Sequence, residues 1–249
     1  MNANTRTGRA SVLVTGAGGV LGLGLAATRP PDAIVVAGRR VPPAWPGTSF
    51  HPLELATPGA AAALVETLRP HAVLHAAALS SLGACERAPE LTERVNRLAV
   101  VELAEVCART GVFLVLVSTD QVFAGVAPVH AEGDPPCPLH AYGRSKAAAE
   151  RAVLALGGAV ARLPLLLGGR AGPGRLGADA ALLAKLAAGE RPALYRDEIR
   201  CPVGVEAASD GLWRLLAARL PGIVHLVGSE AVSRAELGRR VCAAAGVLP

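Results

Sequence analysis

Aromatic residues are few: three Phe, two Tyr and two Trp in 249 residues. Ala, Gly, Leu, Val and Arg fill the chain instead, which reads as a base-composition bias of the source genome rather than a functional signal. No apolar run approaches the ~20 residues needed to span a bilayer, the richest late one being Leu163–Leu167. The opening ten residues are polar, carry two Arg and lead into no apolar signal segment, so a cytoplasmic protein is expected. Five cysteines (Cys85, Cys107, Cys137, Cys201, Cys242) form no C-x-x-C and have no nearby His pair at metal-ligand spacing. Reduced thiols and no metal are expected. Arginines never run longer than the pairs Arg39–Arg40 and Arg239–Arg240, which argues against a nucleic-acid partner. The net charge of +5 and pI near 9.3 suit an anionic partner, for which a phosphate-rich cofactor or a nucleotide-linked substrate would suffice.

What is present is a globular composition, 51% hydrophobic and 18% charged, in a chain long enough for one large core. Short apolar runs at Ser11–Thr15, Ile34–Ala37, Ala72–His75, Phe113–Ser118 and Val160–Leu163 read as strands buried on both faces. Helices are expected between them at Val20–Thr28, Gly59–Leu68, Pro89–Arg109 and Tyr142–Leu156, with prolines at 30–31, 42–43 and 128–138 punctuating the connections. Repeated βαβ units of this kind give an α/β fold with a doubly wound parallel sheet of the Rossmann type. Residues 1–163 would form the dinucleotide-binding domain. Residues 164–249 would form a small mixed substrate-binding lid, interleaved with the sheet's carboxyl edge. The lid begins with a Gly- and Arg-rich loop at 168–177, followed by helices near 178–188 and 205–218 and a short strand at 223–227. A last helix follows at 233–245, where Ser233 and Glu236 make a capping box.

The turn Gly16-Ala17-Gly18-Gly19-Val20-Leu21-Gly22 leaves a strand and opens a helix, the context that gives a glycine pattern meaning. Gly16 permits the tight turn and Gly19 lets a pyrophosphate approach the backbone. Gly22 lets helix and strand pack closely, and the amides of Val20 and Leu21 face the phosphates. At the end of the second strand, Val36-Ala37-Gly38-Arg39-Arg40 lacks the acid that grips the ribose hydroxyls of NAD. Arg39 and Arg40 can instead grip a 2′-phosphate, so NADP(H) is favoured and NAD(H) is the alternative; the bland reading is that both face solvent.

Tyr142 and Lys146 form a Tyr-x-x-x-Lys at the start of a helix, on one helical face. An adjacent cation favours phenolate and would lower the pKa of Tyr142, tuning it as a general acid/base, while Lys146 can also bond the nicotinamide ribose. From the end of the fifth strand, Thr119 is expected to bond the substrate's carbonyl oxygen, and Ser118 to pack against or touch the nicotinamide. Asp120 either contacts substrate or caps the turn.

Together these residues resemble the extended short-chain dehydrogenase/reductases, and within them the dTDP-4-dehydrorhamnose reductase branch of sugar-nucleotide-binding proteins. The resemblance rests on V-T-G-A-G-G-V-L-G, on H-A-A-A at 75–78 and on E-R-A-P-E through V-N at 86–96. It continues with S-T-D-Q-V-F-A-G at 118–125, Glu132-Gly133-Asp134, Y-G-R-S-K and G-I-V-H-L-V-G at 222–228. It implies cofactor contacts from Ala76, Ala77 and Ala78, a Thr119–Tyr142–Lys146 catalytic set and a substrate cleft under the C-terminal segment. Arg200 matches a position near that cleft and would meet a substrate diphosphate, or else form a surface salt bridge. Gln121 stands where the branch commonly has Tyr, and Ala124 where it has Asp, so the substrate side has changed; an abbreviated lid is also expected. The activity implied is NADPH-dependent reduction of a nucleotide-linked 4-keto-6-deoxysugar. The alternatives are an NADP-binding regulatory subunit like the methionine adenosyltransferase β-subunit, or a sugar-nucleotide epimerase or dehydratase. Homodimers are common for such folds.

Overall fold

The computed structural model describes residues 11–31, 33–125, 129–169 and 176–247. From the N-terminus run β1 (Val12–Thr15), α1 (Val20–Ala27), β2 (Ile34–Gly38), β3 (Ser49–Pro52), α2 (Ala60–Leu68) and β4 (Ala72–His75). Next come α3 (Leu82–Arg87), α4 (Pro89–Glu93), a π-helical turn (Arg94–Leu98), α5 (Ala99–Thr110), β5 (Phe113–Thr119) and a 3₁₀ turn (Asp120–Val122). Then follow α6 (Ala141–Ala155), β6 (Ala159–Leu163), β7 (Leu166–Leu167), α7 (Ala178–Ala187), β8 (Ile199–Arg200) and β9 (Val203–Gly204). The described chain closes with α8 (Val205–Ala218), β10 (Gly222–His225), β11 (Val232–Ser233) and α9 (Arg234–Ala244).

Seven parallel strands form one sheet in the order β10-β6-β5-β4-β1-β2-β3. Successive residues along each strand point their side chains to opposite layers, as the two-residue strand period requires. Val12 and Val14 meet Leu21 and Leu25 of α1 and Leu212 and Trp213 of α8 in one core. Leu13, Val73, Leu114 and Leu116 meet Val65 of α2, Leu103 of α5 and Val153 of α6 in the other. This is the doubly wound fold that the alternation of short apolar runs implies. Beyond β6 the chain does not simply leave the sheet: α8 covers one face and β10 adds a strand, pairing Ile223 with Val160. The remaining strands form two small pairs, β7 with β9 and β8 with β11.

Three local readings of the sequence change. The edge strand β3 was not foreseen, because Ser49–Pro52 is short, half polar and ends in proline, yet it registers Phe50 against Val36. The single helix expected over 89–109 is divided by the π-helical turn, and α3 precedes it. At α9, Ser233 Oγ accepts the Glu236 N–H at 3.0 Å, but the Glu236 carboxylate turns to Arg239 and Arg240, so half of the capping box forms. Most of the Gly- and Arg-rich loop expected at 168–177 lies outside the described residues.

Candidate functional site

The strand order reverses between β1 and β4, which opens a crevice at their carboxyl ends. The glycine turn lies there. Gly16 has φ +74°, and a Cβ on it would lie 2.6 Å from backbone atoms of Ala76 and Ala77, so only glycine fits where the two strand ends meet. Thr15 ties them together: its carbonyl accepts the Ala76 N–H and its hydroxyl accepts the Ala77 N–H, both at 3.3 Å. A Cβ on Gly22 would sit 2.1 Å from the Ala17 carbonyl oxygen. Gly22 therefore closes the turn onto its own helix rather than bringing helix to strand. Close helix packing belongs to Gly24, whose Cβ would lie 2.4 Å from Ser209 Oγ in α8.

A Cβ on Gly19 would meet only the Gly16 carbonyl oxygen, at 3.4 Å, so its outer face is open. Gly19 caps α1 without a side-chain hydrogen bond, leaving the first amides, those of Val20 and Leu21 among them, available to an anion. These residues fit the phosphates of a dinucleotide. Trp45, which sequence reasoning passed over, supports the turn by donating Nε1–H to the Ala17 carbonyl at 3.2 Å. Arg39 and Arg40 follow β2, both exposed and with no hydrogen-bond or ion-pair partner among the described residues. After β4, Ala76 and Ala77 are half-buried and Ala78 is exposed.

The α6 helix begins at His140, whose Nδ1 accepts the Gly143 N–H at 3.0 Å. A Cβ on Gly143 would lie 2.3 Å from the Gln121 carbonyl oxygen. That glycine lets the 3₁₀ turn after β5 lie against the helix, which brings Thr119 and Asp120 to Tyr142. Thr119 lies close enough to Tyr142 to favour its ionised form, and its Oγ1 accepts the Gln121 N–H at 3.2 Å. Burial, then the charge of Asp120 and the Cys85 thiol, push the Tyr142 phenol above its ordinary range, against the opposing effects of Thr119 and Arg200. The lowering expected from Lys146 is not found, because burial of the phenol dominates. Lys146 is itself buried, and desolvation lowers its ammonium to about 8 against the opposing charge of Glu150.

Asp120 and Arg200 are brought together by a bidentate pair, Nε to Oδ2 and Nη2 to Oδ1, each 2.6 Å. Arg200 also donates to Glu198 at 3.0 Å, so two carboxylates answer its charge. The pair joins the 3₁₀ turn to β8 of the C-terminal segment. Gln121 Oε1 is buried without a hydrogen-bond partner among the described residues. The Ser118 hydroxyl is committed to Glu150.

Asn96, inside the π-helical turn, also escaped sequence reasoning. Its amide donates to the Leu79 carbonyl at 2.9 Å and accepts the Leu79 N–H at 2.8 Å, fixing the loop after β4. It donates as well to Ser145 Oγ at 3.1 Å, beside Lys146. The V-N pair was visible in the sequence, but its π turn was not; such turns concentrate at functional sites. Among the described residues, no cluster of three or more His, Cys, Asp or Glu could hold a metal ion, and no helix is long and apolar enough to cross a membrane.

The family model for the RmlD substrate binding domain matches residues 10–249. Methionine adenosyltransferase 2 subunit beta of Xenopus laevis is 38% identical over 158 residues, 63% of this chain and 47% of the relative. A probable low-salt glycan biosynthesis reductase of Haloferax volcanii is 32% identical over 178 residues, 70% of this chain and 59% of the relative. The chain thus spans about half the length of the curated relatives it matches. Among solved structures, dTDP-4-dehydrorhamnose reductase of Bacillus anthracis in complex with NADP superposes with a TM-score of 0.81. It is 24% identical, over 96% of this chain and 82% of that one, a likeness that speaks to the fold.

Proposed function

The chain belongs to the RmlD substrate binding domain family, and from that premise we propose that it is an NADPH-dependent reductase of a nucleotide-linked 4-keto-6-deoxysugar. The observation that carries this reading is the Thr119–Tyr142–Lys146 set, with the phenol held neutral beside a hydroxyl at the mouth of a dinucleotide crevice. The glycine turn and the open first turn of α1 would hold the pyrophosphate, with Ala76, Ala77 and Ala78 along its other side. Arg39 and Arg40 would take the 2′-phosphate that distinguishes NADP from NAD. When bound, the nicotinamide supplies the hydride.

A neutral phenol suits reduction, because Tyr142 must hold the proton it gives. Thr119 bonds the ketone oxygen and orients it toward Tyr142. As hydride reaches C4, Tyr142 protonates that oxygen, and the phenolate left behind faces the Arg200 guanidinium. Lys146, on the same helical face, would bond the cofactor's ribose and add a positive charge to the site once the phenolate forms. The substrate side is formed by Gln121, whose buried oxygen can accept a hydrogen bond from the sugar, and by the Asp120–Arg200 pair. Residues 164–249 contribute β8 and β11 to this side while α8 and β10 complete the sheet. Purified protein should therefore oxidise NADPH in the presence of such a sugar nucleotide. Tyr142→Phe should slow turnover by about 10²- to 10⁴-fold, the usual worth of a general acid. Turnover unimpaired in Tyr142→Phe would end this mechanism.

A second reading is favoured by the 38% identity to a methionine adenosyltransferase β-subunit. It makes the chain an NADP-binding regulatory subunit. Tight NADPH binding with no ketone reduction, and copurification with a larger enzyme, would establish it in place of the first.

A further inference from the structure

Tyr142, Lys146 and Glu150 stand at successive intervals of four along α6 and so share one face of it. Lys146 is 2% exposed and Glu150 1% exposed, opposite charges buried one helical turn apart. A buried carboxylate persists only when its oxygens are answered. Those of Glu150 are answered on two sides. The Ser118 hydroxyl donates to Oε1 from the end of β5. Arg162 of β6 donates Nε to Oε1 and Oε2 at 3.1 and 3.2 Å, and Nη2 to Oε2 at 2.8 Å. Arg162 is held in turn by the Glu132 carbonyl and His225 Nε2, each at 3.3 Å, and its guanidinium lies 4.9 Å from the Phe123 ring centre. The carboxylate is therefore fixed, not mobile.

We propose that Glu150 is a positioning residue that keeps the Lys146 side chain charged inside the protein, with Ser118 and Arg162 holding the carboxylate to that task. Of the charges that act on Lys146, that of Glu150 is the one favouring its cationic form. On its own helix stand Tyr142, a neutral phenol, and Glu150. From β4 comes His75, neutral and repelled by the ammonium. Ser118 of β5 and Arg162 of β6 meet the Glu150 carboxylate rather than Lys146. Burial alone drives an ammonium to shed its proton, and Glu150 is the influence that opposes this. The inference deepens the function proposed above, in which Lys146 must stay cationic to support a phenolate.

The chain has two lysines, Lys146 and Lys185, so lysine labelled with ¹³C at Cε gives two signals, and Lys185→Arg assigns them. In Glu150→Gln the Lys146 titration should move about one pH unit lower than in the unaltered protein, with Lys185 as internal reference. If that variant does not fold, Glu150→Gln/Arg162→Gln removes both buried charges together, and a smaller downward movement is expected, because losing the Arg162 cation works the other way. A curve that stays in place or moves upward in either folded variant overturns the proposal. The titration needs neither cofactor nor substrate. An unmoved curve in a protein that reduces ketones sinks this inference alone. A lowered curve in a protein that reduces none sinks only the proposed function.

Discussion

Lowering the pH from 7.5 to 5 tests the imidazole buried at the end of β4. His75 is fully buried, its Nδ1 shares a 2.9 Å hydrogen bond with Thr15 Oγ1, and its Nε2 has no partner among the described residues. Burial first, and then the charge of Lys146, lower it to about 3. In the unfolded chain an imidazole titrates at about 6.5. Between those two values the unfolded state binds a proton that the folded state refuses, so stability falls as the pH falls from about 6.5 toward 3. Each pH unit across that window is worth about 1.4 kcal/mol. By pH 5 the loss reaches about 2 kcal/mol, a large part of the 5–15 kcal/mol that typically holds a domain together.

The assay is urea unfolding at pH 7.5 and pH 5 of the unaltered protein and of His75→Gln, whose amide can still bond Thr15. The variant should be less stable at pH 7.5, because it fits the cavity less well. Its further loss on acidification should be smaller by about 2 kcal/mol. Carboxylates also weaken the fold in acid, among them Glu132, held below its ordinary range by backbone N–H groups including that of His225. Their contribution is common to both proteins and cancels in the difference. Equal losses in the two proteins would refute the reasoning. Since Thr15 precedes the glycine turn and Ala76–Ala78 follow His75, the same protonation opens the cradle proposed for the cofactor.

Three further outcomes are expected. Arg39→Ala/Arg40→Ala should weaken NADPH binding by about 100-fold, at about 1.4 kcal/mol for each charge-assisted contact, and leave NADH within a few-fold; equal losses for both cofactors in fluorescence titrations would remove the 2′-phosphate assignment. Gly24→Ala should destabilise the protein by about 1–3 kcal/mol in denaturant unfolding, because the new methyl meets Ser209 Oγ and the Val205 carbonyl at 2.4 and 2.6 Å. The higher helix propensity of alanine, about 1 kcal/mol, does not offset that, and a more stable variant would contradict the packing. A double-mutant cycle on Asp120→Asn and Arg200→Met should give a coupling of about 1–3 kcal/mol, since the pair is bidentate and half-buried; a coupling near zero would mean that β8 is not held to the 3₁₀ turn by this contact.

The sheet was legible because strands covered on both faces must be apolar throughout, and Val12–Thr15, Ala72–His75 and Phe113–Thr119 are near-continuous apolar runs. The edge strand β3 obeys no such rule, since one side of an edge needs no cover. The glycine turn was legible as a pattern, but the close approach of α8 to Gly24 was not. Spacing tells which glycines are present, and only the path of α8 tells which one another helix approaches. At the proposed catalytic residues, i and i+4 place Tyr142 and Lys146 on one face of α6. The sign of the phenol's shift was missed because burial, which sequence does not give, outweighs the neighbouring charges. Asp120 and Arg200 are 80 residues apart, and no local rule pairs them. Trp45 and Asn96 were missed for a related reason: both act largely on backbone groups, which leave no mark in a sequence.

The two functional readings place different demands on Lys146. A subunit that only binds a dinucleotide needs the glycine turn, the open amides of α1 and the arginines after β2. It gains nothing from an ammonium enclosed within the protein on α6. That enclosure works against folding: lowering Lys146 from 10.5 to about 8 corresponds to about 3 kcal/mol set against the charged form. It also commits Glu150 and Arg162 to a buried pair that well-packed apolar residues would match or better in stability. Charges strongly perturbed by burial and gathered at the mouth of a crevice mark sites of chemistry more than sites of mere adhesion. The energetic burden concentrated on one face of α6 therefore favours the reductase, in which a buried cation supports the anion left when Tyr142 gives up its proton.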